Sequence, residues 1–183
     1  WSSDVCSSDL PRRMLTKNQI VTLTVTGMTA EGSGVGRADG IAVFVPLTAP
    51  GDTLRVKIVK VMKTYAFGII DELLIPSPDR ITPDCPVFEQ CGGCAFRHIH
   101  YDAELRLKET FVRDAFTRIG GLSLAFEPIL GCEQTDGYRN KAQYPVALRS
   151  EEPVYGFYAR HSHRVVPCAR CALQAPKPRW PRP

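Results

Sequence analysis

No stretch of this chain approaches the roughly 18–20 consecutive apolar residues needed to span a bilayer, and none has the charged-then-apolar layout of a secretory leader. A membrane partner is therefore not expected, and the chain reads as cytoplasmic. Acidic residues become scarce toward the end. Residues 138–183 carry 9 Lys/Arg against 2 Asp/Glu, residues 75–137 carry 6 against 10, and residues 14–74 carry 6 against 5. A net charge of +4 thus hides a basic last quarter that also holds His161 and His163. Such a distribution suits a polyanionic partner; a merely solvated basic face is the plainer alternative. What is present is enough to fold: 44% of the 183 residues are hydrophobic, which allows one domain or two small ones and excludes global disorder. Seven cysteines, three of them tightly clustered, read as ligands or thiols in a reducing cytosol rather than as disulfides.

Both ends look foreign. Residues 1–13 read as a non-native leader: the chain starts at Trp1, and Trp1 to Leu10 repeats Ser-Ser-Asp with neither helical nor strand periodicity. On that reading Met14 is the start and Cys6 is incidental. Residues 175–183 are proline-rich, can continue neither a helix nor an interior strand, and read as a non-native or truncated tail.

Residues 14–74 read as short strands. Val21, Leu23 and Val25 alternate with threonines, and Leu54, Val56 and Ile58 alternate with Arg55 and Lys57, which is the period-2 pattern of half-buried strands. Ile41–Val45 and Tyr65–Ile70 add further strands, with Gly27, Asp39-Gly40 and Gly51-Asp52 as punctuation. About five short strands without a helix predict a closed, OB-like barrel. The glycines of Glu31-Gly-Ser-Gly-Val-Gly-Arg37 do not make a phosphate loop, because a strand rather than a helix follows them; they are expected to form a turn between strands. Phe44, Tyr65 and Phe67 either fill the barrel or stack on bases, with Arg37, Lys57, Lys60 and Lys63 available to phosphates.

Cys85-Pro-Val-Phe-Glu-Gln-Cys91-Gly-Gly-Cys94 spaces three sulfurs as C-x5-C-x2-C. A fourth ligand must come from a distance, from Cys132, Cys168, Cys171, His98 or His100. Two centres compete. A zinc ribbon would pair Cys91/Cys94 with Cys168/Cys171 but leaves Cys85 without a role and needs an unusually long gap. A four-thiolate iron–sulfur cluster uses Cys85 and is favoured on spacing.

Residues 101–119 predict a helix. Leu105, Val112, Phe116 and Ile119 form an apolar stripe expected to pack into the core, Asp102 and Glu104 suit its N-terminal end, and Gly120-Gly121 stop it. A strand is expected from Tyr138, with Arg139 and Lys141 on one face. Arg160, His161, His163 and Arg164 form a second basic group, and both groups suit phosphate contact.

Two sets of residues carry a resemblance. Glu31-Gly-Ser-Gly-Val-Gly-Arg37 with Asp39-Gly40, Phe44-Val-Pro46 and Pro50-Gly-Asp52 resembles the TRAM domain, an OB-like RNA-binding module. The Cys85–Cys94 motif, His98-Ile-His-Tyr101 and Tyr138-Arg-Asn-Lys141 resemble the RNA uracil-C5 methyltransferases, and the TRAM-bearing type that modifies 23S ribosomal RNA in particular. The resemblance implies a mainly β fold: a TRAM barrel at 14–74, then a cluster-bearing α/β segment at 75–174 that begins a central domain. It implies a 4Fe–4S cluster on Cys85, Cys91, Cys94 and Cys171, with Cys168 as the fallback ligand. It implies structured RNA as the partner, 23S ribosomal RNA first, with no DNA. The RNA-binding residues are then Arg37, Lys57, Lys60, Arg139, Lys141, Arg160, His163 and Arg164. Members of that family transfer methyl from S-adenosylmethionine through a C-terminal doubly wound domain. No βαβ run or glycine loop follows residue 174, so no catalytic residue is assigned, S-adenosylmethionine is expected only in the full-length enzyme, and the stretch alone is expected to be inactive. The rival readings are a stand-alone RNA-binding module, a zinc-ribbon adaptor, and a fragment of a transfer-RNA uracil-C5 methyltransferase.

Overall fold

A computed structural model describes residues 15–175; the leader, Cys6 and the tail beyond Ala175 lie outside the described residues. The chain divides into two compact units between Pro78 and Asp79.

The first unit is a closed barrel of β1 (Ile20–Met28), β2 (Ser33–Ala38), β3 (Ile41–Pro46), β4 (Thr53–Val61) and β5 (Tyr65–Ile75), in the order β1-β2-β3-β5-β4. β3 and β5 run parallel; the other pairs are antiparallel. Alternation sends Leu23, Val25, Val43, Val45, Leu54, Val56 and Ile58 inward as one buried cluster, the apolar burial that offsets the entropy of ordering the chain. Closure leaves no sheet edge to template aggregation.

The glycine-rich run begins in the expected turn, with Gly32 at φ 85° between β1 and β2, but from Ser33 onward it is a strand. Gly34 and Gly36 point into the barrel, where an added Cβ would lie 2.0 Å from the Thr48 hydroxyl and 2.6 Å from a Leu23 methyl. The run is glycine-rich because neighbouring side chains already fill that space. A second turn follows it at Asp39-Gly40 (φ 49° and 79°), a two-residue hairpin with both central residues left-handed, which suits Asp-Gly.

Asp52 fixes the end of the unit. Its carboxylate is fully buried and accepts hydrogen bonds from the Ala49 N–H at 2.6 Å and the Ser77 N–H at 2.8 Å, while the Ser77 hydroxyl donates to the Pro50 carbonyl at 2.6 Å. These bonds carry the barrel unit past residue 74, where the sequence suggested its boundary, to Pro78.

The second unit holds α1 (Tyr101–Asp114), which continues as a π-helical turn to Ile119, and a three-stranded sheet β6 (Val146–Arg149), β7 (Glu152–Tyr158), β8 (Val165–Pro167). The helix starts and stops where the sequence places it, with Asp102 and Glu104 in the first turn and Gly121 at φ 66° after the end. Its apolar stripe departs from expectation: Val112, Phe116 and Ile119 are exposed, Ile119 at 88%, and the only buried residue of the helix is Ala103. Periodicity registers an apolar face but not what covers it. The strand expected from Tyr138 also shrinks. Arg139 makes one isolated bridge to Gln174, and regular pairing begins only at Val146.

Candidate metal centre and nucleic-acid surfaces

The cysteine loop is built by two tight turns, with the Phe88 N–H donating to the Cys85 carbonyl at 3.1 Å and the Cys91 N–H to the Val87 carbonyl at 2.8 Å. Phe88, buried at its centre, stacks on buried His98 at 5.3 Å. The loop then docks on the end of β7. Cys91 bridges Ala159, and the Gly92 N–H donates to the Tyr158 carbonyl at 2.9 Å. A Cβ on Gly92 would stand 2.9 Å from that carbonyl oxygen, so only glycine lets the two backbones meet. Arg160 clamps the arrangement. It donates to the Cys94 carbonyl at 2.7 Å and lies over the Phe88 ring at 5.3 Å, and burial pushes its pKa down while Cys91 and Cys94 act the other way.

β8 brings the distant cysteines to the same place. Gly156 faces Pro167 across the β7–β8 ladder, where a Cβ would sit 1.8 Å from the Val166 carbonyl oxygen. Cys168 follows directly, buried, its thiol donating to the Arg170 carbonyl at 3.2 Å. The segment after it is laced to Gly137 and Arg139 through the Ala172 and Leu173 carbonyls at 2.9 and 2.8 Å.

The result is one electrostatically coupled group of thiols. Burial pushes Cys94 up, reinforced by Cys171, Cys91 and Cys85 and opposed by Arg97. Burial likewise pushes Cys168 up, reinforced by Cys171, Cys85 and Cys91. Cys85, Cys91 and Cys171 thus act on both Cys94 and Cys168, and Cys171 is the strongest thiol neighbour of each. Cys132 stands apart. It is exposed, and its N–H donates to the Tyr101 hydroxyl at 2.8 Å. His98 is buried against Phe88, and exposed His100 lies 3.8 Å from Asp102. Among the described residues, no three His, Cys, Asp or Glu side chains converge closely enough to hold one metal ion.

A cleft of about 740 Å³ opens beside the loop, lined in part by Cys94, Arg97, Tyr138 and Arg139. Arg97 is held on one side by Asp84 at 2.5 and 2.7 Å and on the other by Asp136 at 2.9 Å. Asp136 is therefore taken by Arg97. Of the basic residues, Arg139, Lys141, His163 and Arg164 are exposed on the second unit; His163 stacks edge-on against Tyr158 at 5.3 Å. Arg160 is the exception, committed to the cysteine loop. On the barrel, Arg37, Lys57 and Lys60 are exposed, and Arg37 donates to the Gly40 carbonyl at 3.0 Å. Phe44, Tyr65 and Phe67, which the sequence could not assign to the inside or the outside, lie on the outer wall, since Val43, Val45, Ala66 and Gly68 take the inward positions between them.

Residues 15–70 match the family model of the TRAM domain, and the barrel is that domain. The longer chain is a TRAM-bearing relative of proteins named RNA methyltransferases. It is 43% identical over 86% of its length to an uncharacterized RNA methyltransferase of Halalkalibacterium halodurans, and 41% identical over 86% to one of Synechocystis. It covers 35% of each, so it spans about a third of the curated relatives it matches. Among solved structures, the Pyrococcus abyssi tRNA (uracil-54, C5)-methyltransferase in complex with S-adenosyl-L-homocysteine matches 84% of this chain and 33% of its own, at 24% identity and a TM-score of 0.49. No helix of the described residues is long and apolar enough to cross a membrane.

Proposed function

We propose that this chain is the RNA-binding and cluster-bearing part of an S-adenosylmethionine-dependent uracil-C5 methyltransferase that acts on 23S ribosomal RNA. One observation carries the proposal. The C-x5-C-x2-C loop docks on the end of β7, where β8 delivers Cys168 and Cys171, so that thiols 77 or more positions apart in sequence sense one another's charge. Soft thiolates in a half-buried pocket are the donor set of an iron–sulfur or zinc centre. Burial, reinforced by the neighbouring thiols, pushes Cys94 and Cys168 up, and a bound cationic centre would offset that. A single zinc needs four donors converging on one atom. A cubane places each thiolate on a different iron and so asks for a wider ring of sulfurs than a single zinc does.

Cys85, Cys91, Cys94 and Cys171 would hold the cluster, with Cys168 as the alternate fourth ligand. The cluster would act structurally, tying the loop to the β7–β8 hairpin. Arg139, Lys141, His163 and Arg164 would contact phosphate beside it, and Arg37, Lys57 and Lys60 would do so from the barrel. Methyl transfer and S-adenosylmethionine binding are assigned to the part of the longer relatives that this chain does not span.

Anaerobic purification tests the proposal. A brown protein with about four irons and matching acid-labile sulfide supports it, with the colour lost in Cys94→Ser. A colourless protein holding one zinc replaces the cluster with the ribbon reading. Binding of ribosomal RNA fragments, and the site of methylation in a gene-deletion strain, decide the substrate.

A further inference from the structure

The outer wall of the barrel presents more than positive charge. Phe44, Tyr65 and Phe67 form a closed trio with ring centroids 5.5–5.8 Å apart. Tyr65 stands edge-on to both phenylalanines, at 86° and 88°, while the two phenylalanines lie 39° from each other. Phe67 is the most exposed ring, at 39%. Water gains nothing from three clustered aromatic rings on an outer wall, and the barrel core is complete without them.

Strand register sets cations around the trio. Phe44 pairs with Phe67, and Ala42 with Tyr65, in the parallel β3–β5 ladder. On the β4 side, Lys60 faces Phe67 and Lys57 faces Ile69. On the β2 side, Arg37 faces Ala42. Lys57 and Lys60 make no ion pair among the described residues, whereas Arg55 on the same strand is neutralised by Asp71 at 3.4 Å and Glu72 at 3.1 Å. Aromatic faces flanked by unneutralised cations match an unpaired nucleic-acid strand, whose bases offer π-faces and whose phosphates track the rim. A duplex hides its base faces within the stack and cannot use such rings.

We propose that Phe44, Tyr65 and Phe67 form a stacking platform for unpaired RNA nucleotides, with Phe67 as the principal stacking ring and Lys57, Lys60 and Arg37 neutralising the flanking phosphates. The inference rests on the RNA-binding reading above and adds to it the strand state that the barrel selects.

Fluorescence anisotropy with the full chain tests it, using a short unstructured RNA and a blunt RNA duplex of the same composition. Phe67→Ala is expected to weaken binding of the single strand by about 5- to 150-fold, the range for loss of one stacked base, and to leave duplex binding unchanged. Phe67→Trp restores the single-strand affinity. Lys60→Ala lowers the slope of log K against log salt by about 0.7 for the single strand. Thr24→Ala, on β1, changes nothing. Full single-strand affinity in Phe67→Ala, including the case in which the wall serves a protein partner, overturns the platform. So does an equal loss of duplex binding. If Arg139→Ala with Lys141→Ala abolishes RNA binding while Phe67→Ala does not, the platform fails and the RNA-binding reading stands. A wild-type chain that binds neither RNA removes both.

Discussion

Lys60 stands opposite Phe67 across the β4–β5 ladder, on the outer wall of the barrel. Leu54, Val56 and Ile58 point inward, and unbroken alternation would carry Lys60 inward behind them. The pairing steps from Ile58↔Gly68 to Lys60↔Phe67, so Val59 is an extra residue and the strand bulges there. The bulge reverses the phase. Lys60 emerges beside the aromatic trio, and Val61 packs against the core.

That phase reversal predicts opposite outcomes for two neighbouring valines. Val61→Asp places a carboxylate against the core and is expected to cost more than about 2 kcal/mol. Val59→Asp stays at the surface and is expected to change stability by less than about 0.5 kcal/mol. Urea denaturation of both variants checks this; equal costs would contradict the bulge.

The glycines of β2 give a second contrast. Gly36→Ala drives a methyl against Leu23 and the Thr24 carbonyl oxygen, at 2.6 and 2.8 Å, and is expected to cost about 1–3 kcal/mol. Gly27 faces open space, with nothing within 4 Å of where a methyl would project, so Gly27→Ala is expected to be neutral or slightly stabilising. Thermal melting points of the two variants report the difference.

Asp52→Ala removes the acceptor for two backbone N–H groups in a fully buried corner. A loss of about 2–4 kcal/mol is expected, most of it from donors left without a partner. Asp52→Asn keeps one amide oxygen as an acceptor and is expected to lose less. Hydrogen exchange at the Ala49 and Ser77 amides should quicken in the alanine variant.

The proposed cluster would depend on its scaffold as well as on its sulfurs. Gly156→Val forces a side chain into the Val166 carbonyl and parts β8 from β7, and should reduce iron incorporation as severely as Cys94→Ser does. Cys132→Ser should leave iron and sulfide unchanged, since Cys132 lies outside the coupled group. Iron and sulfide analysis after anaerobic reconstitution compares the three.

Much of this was legible in the sequence because the relevant physics is local. Period-2 alternation fixes which face of a strand is apolar, so half of the barrel's buried core cluster follows from Leu23, Val25, Leu54, Val56 and Ile58 alone. Asp-Gly marks its hairpin because both turn residues need positive φ. C-x5-C-x2-C keeps three thiols on one loop because so short a spacing cannot let them move far apart. Other features needed the tertiary structure. The bulge at Val59 depends on the partner strand's register, which no alternation within β4 records. The positions of Phe44, Tyr65 and Phe67 on the outer wall follow from which of their neighbours close the barrel. The gathering of Cys168 and Cys171 with the loop depends on close backbone approaches at Gly156 within the β7–β8 hairpin and at Gly92, which meets residues far away in the chain. The sequence by itself determined the kinds of element and the chemistry available to them; only the packed structure decided which side chains meet, because meeting is a property of register and closure rather than of composition.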